Sequence, residues 1–179
     1  FLYYGTIRKS KGLDILMEAI LETHEKNKKI LLLAAGAFHK VEEEEYKRLK
    51  DQLGEGAARI NFGFVPQKEE QWYFSAADVL CLPYLEVTQS GVAQLGLMYE
   101  LPIIATDVGE MSDVCRNEKN GILIQPQNKS QLIDAILRFT NSSEFREKAS
   151  EQSKQMAEVD FSLDTKAQKV HEVYSELRS

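Results

Sequence analysis

Eight residues, Gly5-Thr6-Ile7-Arg8-Lys9-Ser10-Lys11-Gly12, put three cations and two glycines between an aromatic-aliphatic tetrad and an amphipathic segment. Between a strand and a helix N-terminus, such a loop sets positive side chains where backbone amides and the helix dipole already attract an anion. A diphosphate fits that combination of charge and backbone access. The same composition also describes a solvated loop whose glycines only set turns, so the segment alone leaves both readings open. It is neither a dinucleotide GxGxxG nor a Walker loop.

Two other stretches carry polar groups at comparable places. Residues 84–91 hold Glu86, Thr88, Gln89 and Ser90, and Gly91 opens a segment rich in small and apolar residues. Ser90 is the N-cap expected for a helix starting there. Glu86 and Gln94, eight positions apart, offer a carboxylate and a carboxamide to the hydroxyls of a sugar or ribose if both face one cleft. The plainer alternative is a helix cap beside an exposed glutamate. Residues 106–110 set a turn glycine, Gly109, among acids that precede a short helix with Ser112 and Asp113, where acids serve as caps. His24, His39 and His171 are scattered over a helix end, a loop and a last helix, which supports neither a metal cluster nor a triad, and no metal is expected. The glutamates of residues 42–45 read as a solvated helical face.

For these loops to meet, the chain must alternate strands and helices. Residues 1–4, 30–35, 60–65, 79–82, 103–105 and 122–124 are short apolar runs, and the continuous run 30–35 has the pattern of a central parallel strand. Helices are expected between them. Residues 13–24 gather Leu13, Leu16, Met17, Ile20 and Leu21 on one face, and residues 42–53 space Glu43/Lys47 and Glu44/Arg48 four apart before a stop at Gly54. A segment with Trp72, Phe74 and Ala76 closes at Asp78, followed later by helices over 91–99, 130–139 with Ser130 as cap, 143–156 and about 163–177. This alternation predicts an α/β fold: a doubly wound, Rossmann-like parallel sheet with right-handed crossovers and ligands at the carboxyl ends of the strands. With no internal repeat or low-complexity linker, residues 1–179 read as a single domain.

Composition narrows the partners. The chain has 179 residues, 43% of them hydrophobic, enough for one well-buried core. Its 22 Lys+Arg against 28 Asp+Glu give a net charge of -6, which disfavours the basic surface that nucleic acid requires. Cys81 and Cys115 form no CxxC pair, and a reducing, cytoplasmic setting is expected. No apolar run approaches the roughly 20 residues of a membrane span. The chain starts at Phe1 within a strand-like run, without an initiator Met, and so reads as a piece of a longer protein.

Taken in order, several segments resemble one family. "YYGTIRKSKGLDILMEAI" is similar to the opening of the second domain of the group 1 glycosyltransferases of GT-B fold. "FGFVPQKE" is similar to their base-side loop, and "FSAADVLCLPY", "TQSGVAQLGLMYELPIIATDVGEMSDV" and "NGILIQPQNKSQLIDAI" follow at the family's separations. The resemblance covers nearly the whole chain and implies the C-terminal, donor-binding half of such an enzyme. It implies retaining transfer of a sugar from a nucleoside diphosphate to an acceptor hydroxyl, without a metal or other cofactor. Arg8 and Lys11 would replace the metal at the leaving diphosphate, and Gly5 would admit the donor to the backbone. Phe64 and Val65 would lie against the base at the end of the third strand. Ser90, Gly91 and Val92 would open the helix whose amides face the diphosphate.

The family's two glutamates, with seven residues between them, fall on Glu86 and Gln94. A gapless alignment back from Pro102 puts Val87 and Leu95 there instead. The frequent Arg after the first glycine is Thr6, which moves the phosphate contact to Arg8 and Lys11. The implied partners are the nucleotide-sugar donor and an N-terminal acceptor domain, whose absence leaves peripheral association with the inner face of a membrane open. The product would be a polysaccharide, another glycan or a small glycosylated metabolite. A non-catalytic nucleotide-sugar-binding or assembly module of the same fold is the alternative, slightly favoured by Gln94 in place of Glu.

Overall fold

The apolar runs lie side by side. A computed structural model, which describes residues 1–40 and 43–161, joins β1 (Leu2–Tyr4), β2 (Leu32–Ala35), β3 (Ala58–Asn61), β4 (Leu80–Leu82), β5 (Ile103–Thr106) and β6 (Gly121–Ile124) into one sheet. Every pairing is parallel and the order is β3-β2-β1-β4-β5-β6. The chain builds outward from β1 to one edge, then returns to β1's other side with β4. That switch between β1 and β4 opens a crevice at the carboxyl ends of the strands.

Strand periodicity divides the core in two. Tyr3, Cys81 and Ile104 face one layer, with α1 (Leu13–Lys26), α2 (Glu43–Ala57) and α6 (Lys129–Asn141). Leu2, Leu80, Leu82, Ile103 and Ala105 face the other, with α3 (Gln67–Ser75), α4 (Gly91–Met98), α5 (Met111–Val114) and α7 (Ser143–Val159). Burying each Leu or Ile side chain contributes roughly 1.5–3 kcal/mol, and a one-residue slip would exchange the two faces, so the register is strongly held.

All six expected strands are present, with changed limits. The third was expected to run to Val65 but ends at Asn61, because its partner β2 ends at Ala35 and offers no further ladder. Phe64 and Val65 therefore sit in the loop before α3, and Phe64 is 82% exposed. Helix α3 stops at Ser75, short of Asp78, and Trp72 on it is exposed. Gly54 breaks the regular helix (φ 61°, ψ 179°), yet another turn follows before β3. The cap of α6 is Asn128, not Ser130: Asn128 accepts a bond from the Gln131 amide at 3.0 Å. The expected helix over 163–177, and His171 within it, lie outside the described residues.

Candidate functional site

The crevice is built from the loops after β1 and β4. After β1 the chain turns at Gly5 (φ 114°) and enters a 3₁₀ turn, Lys9–Lys11, that leads into α1. Gly12 ends that turn with φ 65°, and a Cβ there would lie 2.0 Å from the Pro83 carbonyl oxygen. Only glycine allows the two loops this close. The Leu85 amide, donating to the Ser10 carbonyl at 2.8 Å, ties them again.

A cleft of about 270 Å³ lies between them, lined by Gly5, Arg8, Lys11, Tyr84, Gln89 and the Ser90–Gly91–Val92 end of α4, among others. Ser90 caps α4, its hydroxyl accepting from the Ala93 amide at 3.2 Å, which leaves the first helical amides facing the cleft. Next to it, sharing Tyr4, Gly5 and Thr6, is a smaller hollow of about 170 Å³ with a mostly apolar lining that includes Ala35, Ala37, Phe64 and Val65.

The three cations of the first loop have different fates. Lys9 is bound by Asp14 at 2.6 Å and Glu45 at 3.3 Å, and the Asp14 hydrogen bond raises its pKa. Its charge is used within the fold, clamping the turn to α1 and α2. Arg8 and Lys11 make no ion pair among the described residues. The Lys11 ammonium instead lies 3.6 Å from the centroid of the Tyr84 ring, and burial, then the nearby Arg8, lower its pKa. Two positive groups thus line a cleft at a helix N-terminus with no counter-charge among the described residues, which is an arrangement for binding an anion. Tyr84 is buried with its pKa pushed up to about 12, and its hydroxyl lies 3.4 Å from Ser90 Oγ.

Gly5, Arg8, Lys11, Ser90, Gly91 and Val92 come together here, and Phe64 and Val65 flank them. Glu86 and Gln94 line neither hollow. Glu86 is exposed, and Gln94 lies a turn into α4, away from the end whose amides are free. The other alignment fares no better, since Val87 and Leu95 pack against the second core layer. Sequence reasoning assigned no role to Tyr84 or Gln89. Tyr84 was findable: it follows Pro83 at the carboxyl end of β4, where an α/β sheet places its ligand groups. Among the described residues no group of three His, Cys, Asp or Glu side chains could hold a metal ion, and the His24 ring is engaged with the Ile30 carbonyl at 2.7 Å. Nor is any described helix long and apolar enough to cross a membrane.

Against known proteins, the family model described as "Glycosyl transferases group 1" matches residues 1–156. The chain belongs to the group 1 glycosyltransferases. It is 26% identical over 176 residues to the uncharacterized glycosyltransferase MJ1607 of Methanocaldococcus jannaschii, covering 97% of this chain and 44% of that protein. The putative teichuronic acid biosynthesis glycosyltransferase TuaC of Bacillus subtilis is 25% identical over 173 residues, covering 97% and 41%. The chain therefore spans less than half the length of these relatives.

Solved structures share the fold. The C-terminal domain of the group 1 family protein LpcC from Francisella tularensis superposes with a TM-score of 0.81 at 18% identity, covering 90% of this chain and 85% of that one. Anabaena Alr3699/HepE in complex with UDP gives 0.82 at 17% identity, covering 98% and 49%. The architecture is that of the C-terminal half of a GT-B glycosyltransferase.

Proposed function

We propose that this chain is the donor-binding half of a retaining, metal-independent glycosyltransferase that takes its sugar from a nucleoside diphosphate. The observation that carries the reading is the pair Arg8 and Lys11, without an ion pair among the described residues and adjoining the N-terminus of α4, while Lys9 beside them is neutralised. In transfer, negative charge grows on the leaving diphosphate, and cations fixed before the reaction stabilise it most where water is excluded. These two side chains and the α4 amides would take the part that a metal plays elsewhere. The apolar hollow beside Phe64 and Val65 would receive the base.

Turnover would need the second half of the enzyme, which closes over the donor and carries the acceptor. The names of relatives such as TuaC and the glycogen synthase of Thermus thermophilus, 24% identical over 177 residues, support a polymer as product. One observation favours a non-catalytic sugar-nucleotide module instead: Glu86 stands outside the cleft. Calorimetric titration of this chain with UDP, GDP and their sugars tests donor binding. We expect binding of one nucleotide series without sugar transfer by the chain alone. A folded chain that binds none of them would sink the donor-site reading, and transfer by the chain alone would refute the need for a second half.

A further inference from the structure

The chemistry of the carboxyl edge changes in the order of the strands. Beside β2 and β3 the lining is apolar, with Ala35, Ala37 and Phe64. After β1 it is cationic, with Arg8 and Lys11. At the far end, beyond β4, it becomes an amide backed by a carboxylate: Gln89 lines the cleft and its Nε2 donates to Glu110 Oε2 at 2.7 Å. This pair joins two loops. Glu110 follows β5, and its own amide donates to the Thr88 carbonyl at 3.1 Å. Gly109 next to it has φ 55°, and a Cβ there would lie 1.9 Å from the Val87 carbonyl oxygen. The β5 loop is therefore pressed against the β4 loop, and Glu110 is held where it reaches Gln89.

A carboxylate only accepts hydrogen bonds, so it fixes which end of the Gln89 amide faces it. The Nε2 must turn to Glu110, which leaves Oε1 of Gln89, the member of the pair that lines the cleft, as an acceptor at the end beyond the cations. An acceptor at that place suits a hydroxyl group. Neither Glu86 nor Gln94 lines the cleft to do this.

We infer that Gln89, oriented by Glu110, reads the hydroxyls of the donor sugar, and that Glu110 is a positioning residue brought in by the neighbouring strand's loop. The inference rests on the donor-site reading above and deepens it by assigning the sugar end. Base, diphosphate and sugar then follow one another across the sheet, against an apolar lining, the cations and the Gln89 amide in turn.

The test compares binding of a nucleoside diphosphate with binding of its sugar conjugates, using UDP with UDP-glucose and UDP-N-acetylglucosamine, and GDP with GDP-mannose. Gln89→Ala and Glu110→Ala are expected to weaken at least one sugar nucleotide by about tenfold, the scale of a lost hydrogen bond near a charged group, while the matching diphosphate shifts by less than about twofold. Unchanged diphosphate binding reports that the cleft is intact. Glu110→Gln keeps an oxygen that can accept from Gln89 Nε2, so it should recover part of the loss, which a merely structural role for Glu110 would not require.

The inference fails if sugar nucleotide and diphosphate weaken together, or if neither changes, in variants whose wild-type parent binds the diphosphate. If the wild-type chain binds no nucleotide, the donor-site reading itself falls, and the sugar assignment falls with it.

Discussion

At the N-terminal end of α4, Arg8 and Lys11 face free helical amides in a cleft of about 270 Å³. At its C-terminal end lies a larger hollow, about 360 Å³, bordered by Asp78, Glu100, Glu147, Glu151 and Arg146. Arg146 there donates to the Phe139 carbonyl at 2.7 Å and Glu100 pairs with Lys154 at 3.1 Å, which leaves the carboxylates of Asp78, Glu147 and Glu151 to repel an anion. The helix dipole adds to the contrast, favouring anions at the first end and disfavouring them at the second. Of two hollows on one helix, the smaller is the better candidate for an anion, because cations and free amides recognise it and volume alone does not.

The largest effect that could break this comparison is on nucleotide affinity. Arg8→Ala and Lys11→Ala should each weaken the nucleotide that binds by about 1–3 kcal/mol, roughly 5- to 150-fold, when measured by calorimetry. Arg146→Ala, at the other end, should change it by less than about twofold, as expected for a remote site. An equal loss in Arg146→Ala would erase the distinction between the two ends.

A second effect depends on pH. In the proposed donor site the Lys11 ammonium would contact the diphosphate, and burial, then Arg8, lower its pKa below the ordinary 10.5. Its contribution to affinity is therefore present below that lowered value and is lost as pH rises through it, before an ordinary lysine titrates. Affinity measured upward through the alkaline range should fall in wild type, and this component should be absent in Lys11→Met. An identical pH profile for the two proteins would remove Lys11 from the contact.

The smallest effects concern stability. Ser90→Ala removes the cap at the first end and should cost about 0.5–2 kcal/mol in urea unfolding. At the second end Glu100 is left-handed, with φ 58°, and Glu100→Gly should relieve that conformation but lose the exposed pair with Lys154, for a net change within about 1 kcal/mol. If Ser90→Ala unfolds with the wild-type midpoint, the hydroxyl is not supporting the helix end that faces the cleft.

Much of this could be read along the chain. The runs around Leu2, Leu33, Leu80 and Ile104 are apolar because their strands are covered on both faces, and that local requirement is visible in one sequence. Where the reading slipped, pairing decided. Nothing local in residues 60–65 says that β3 must end when β2 does, and either Asn128 or Ser130 could cap a helix until the turn before it is placed. Similarly, the loop from Gly5 to Gly12 announces its charge, but the sequence gives three equivalent cations. Asp14 and Glu45 make Lys9 different by standing next to it in space, one of them 36 residues away.

The sequence by itself determined the alternation of strands and helices, the glycines that permit close turns and the presence of a basic loop ahead of α1, because each is set by neighbours in the chain. Tertiary structure decided which cations remain unpaired, put Tyr84 beneath Lys11, left Glu86 outside the cleft and brought Glu110 to Gln89 from 21 positions away. Those outcomes depend on which loops the sheet order places side by side, and a long-range approach such as that of Gly109 to Val87 has no trace in either segment read alone.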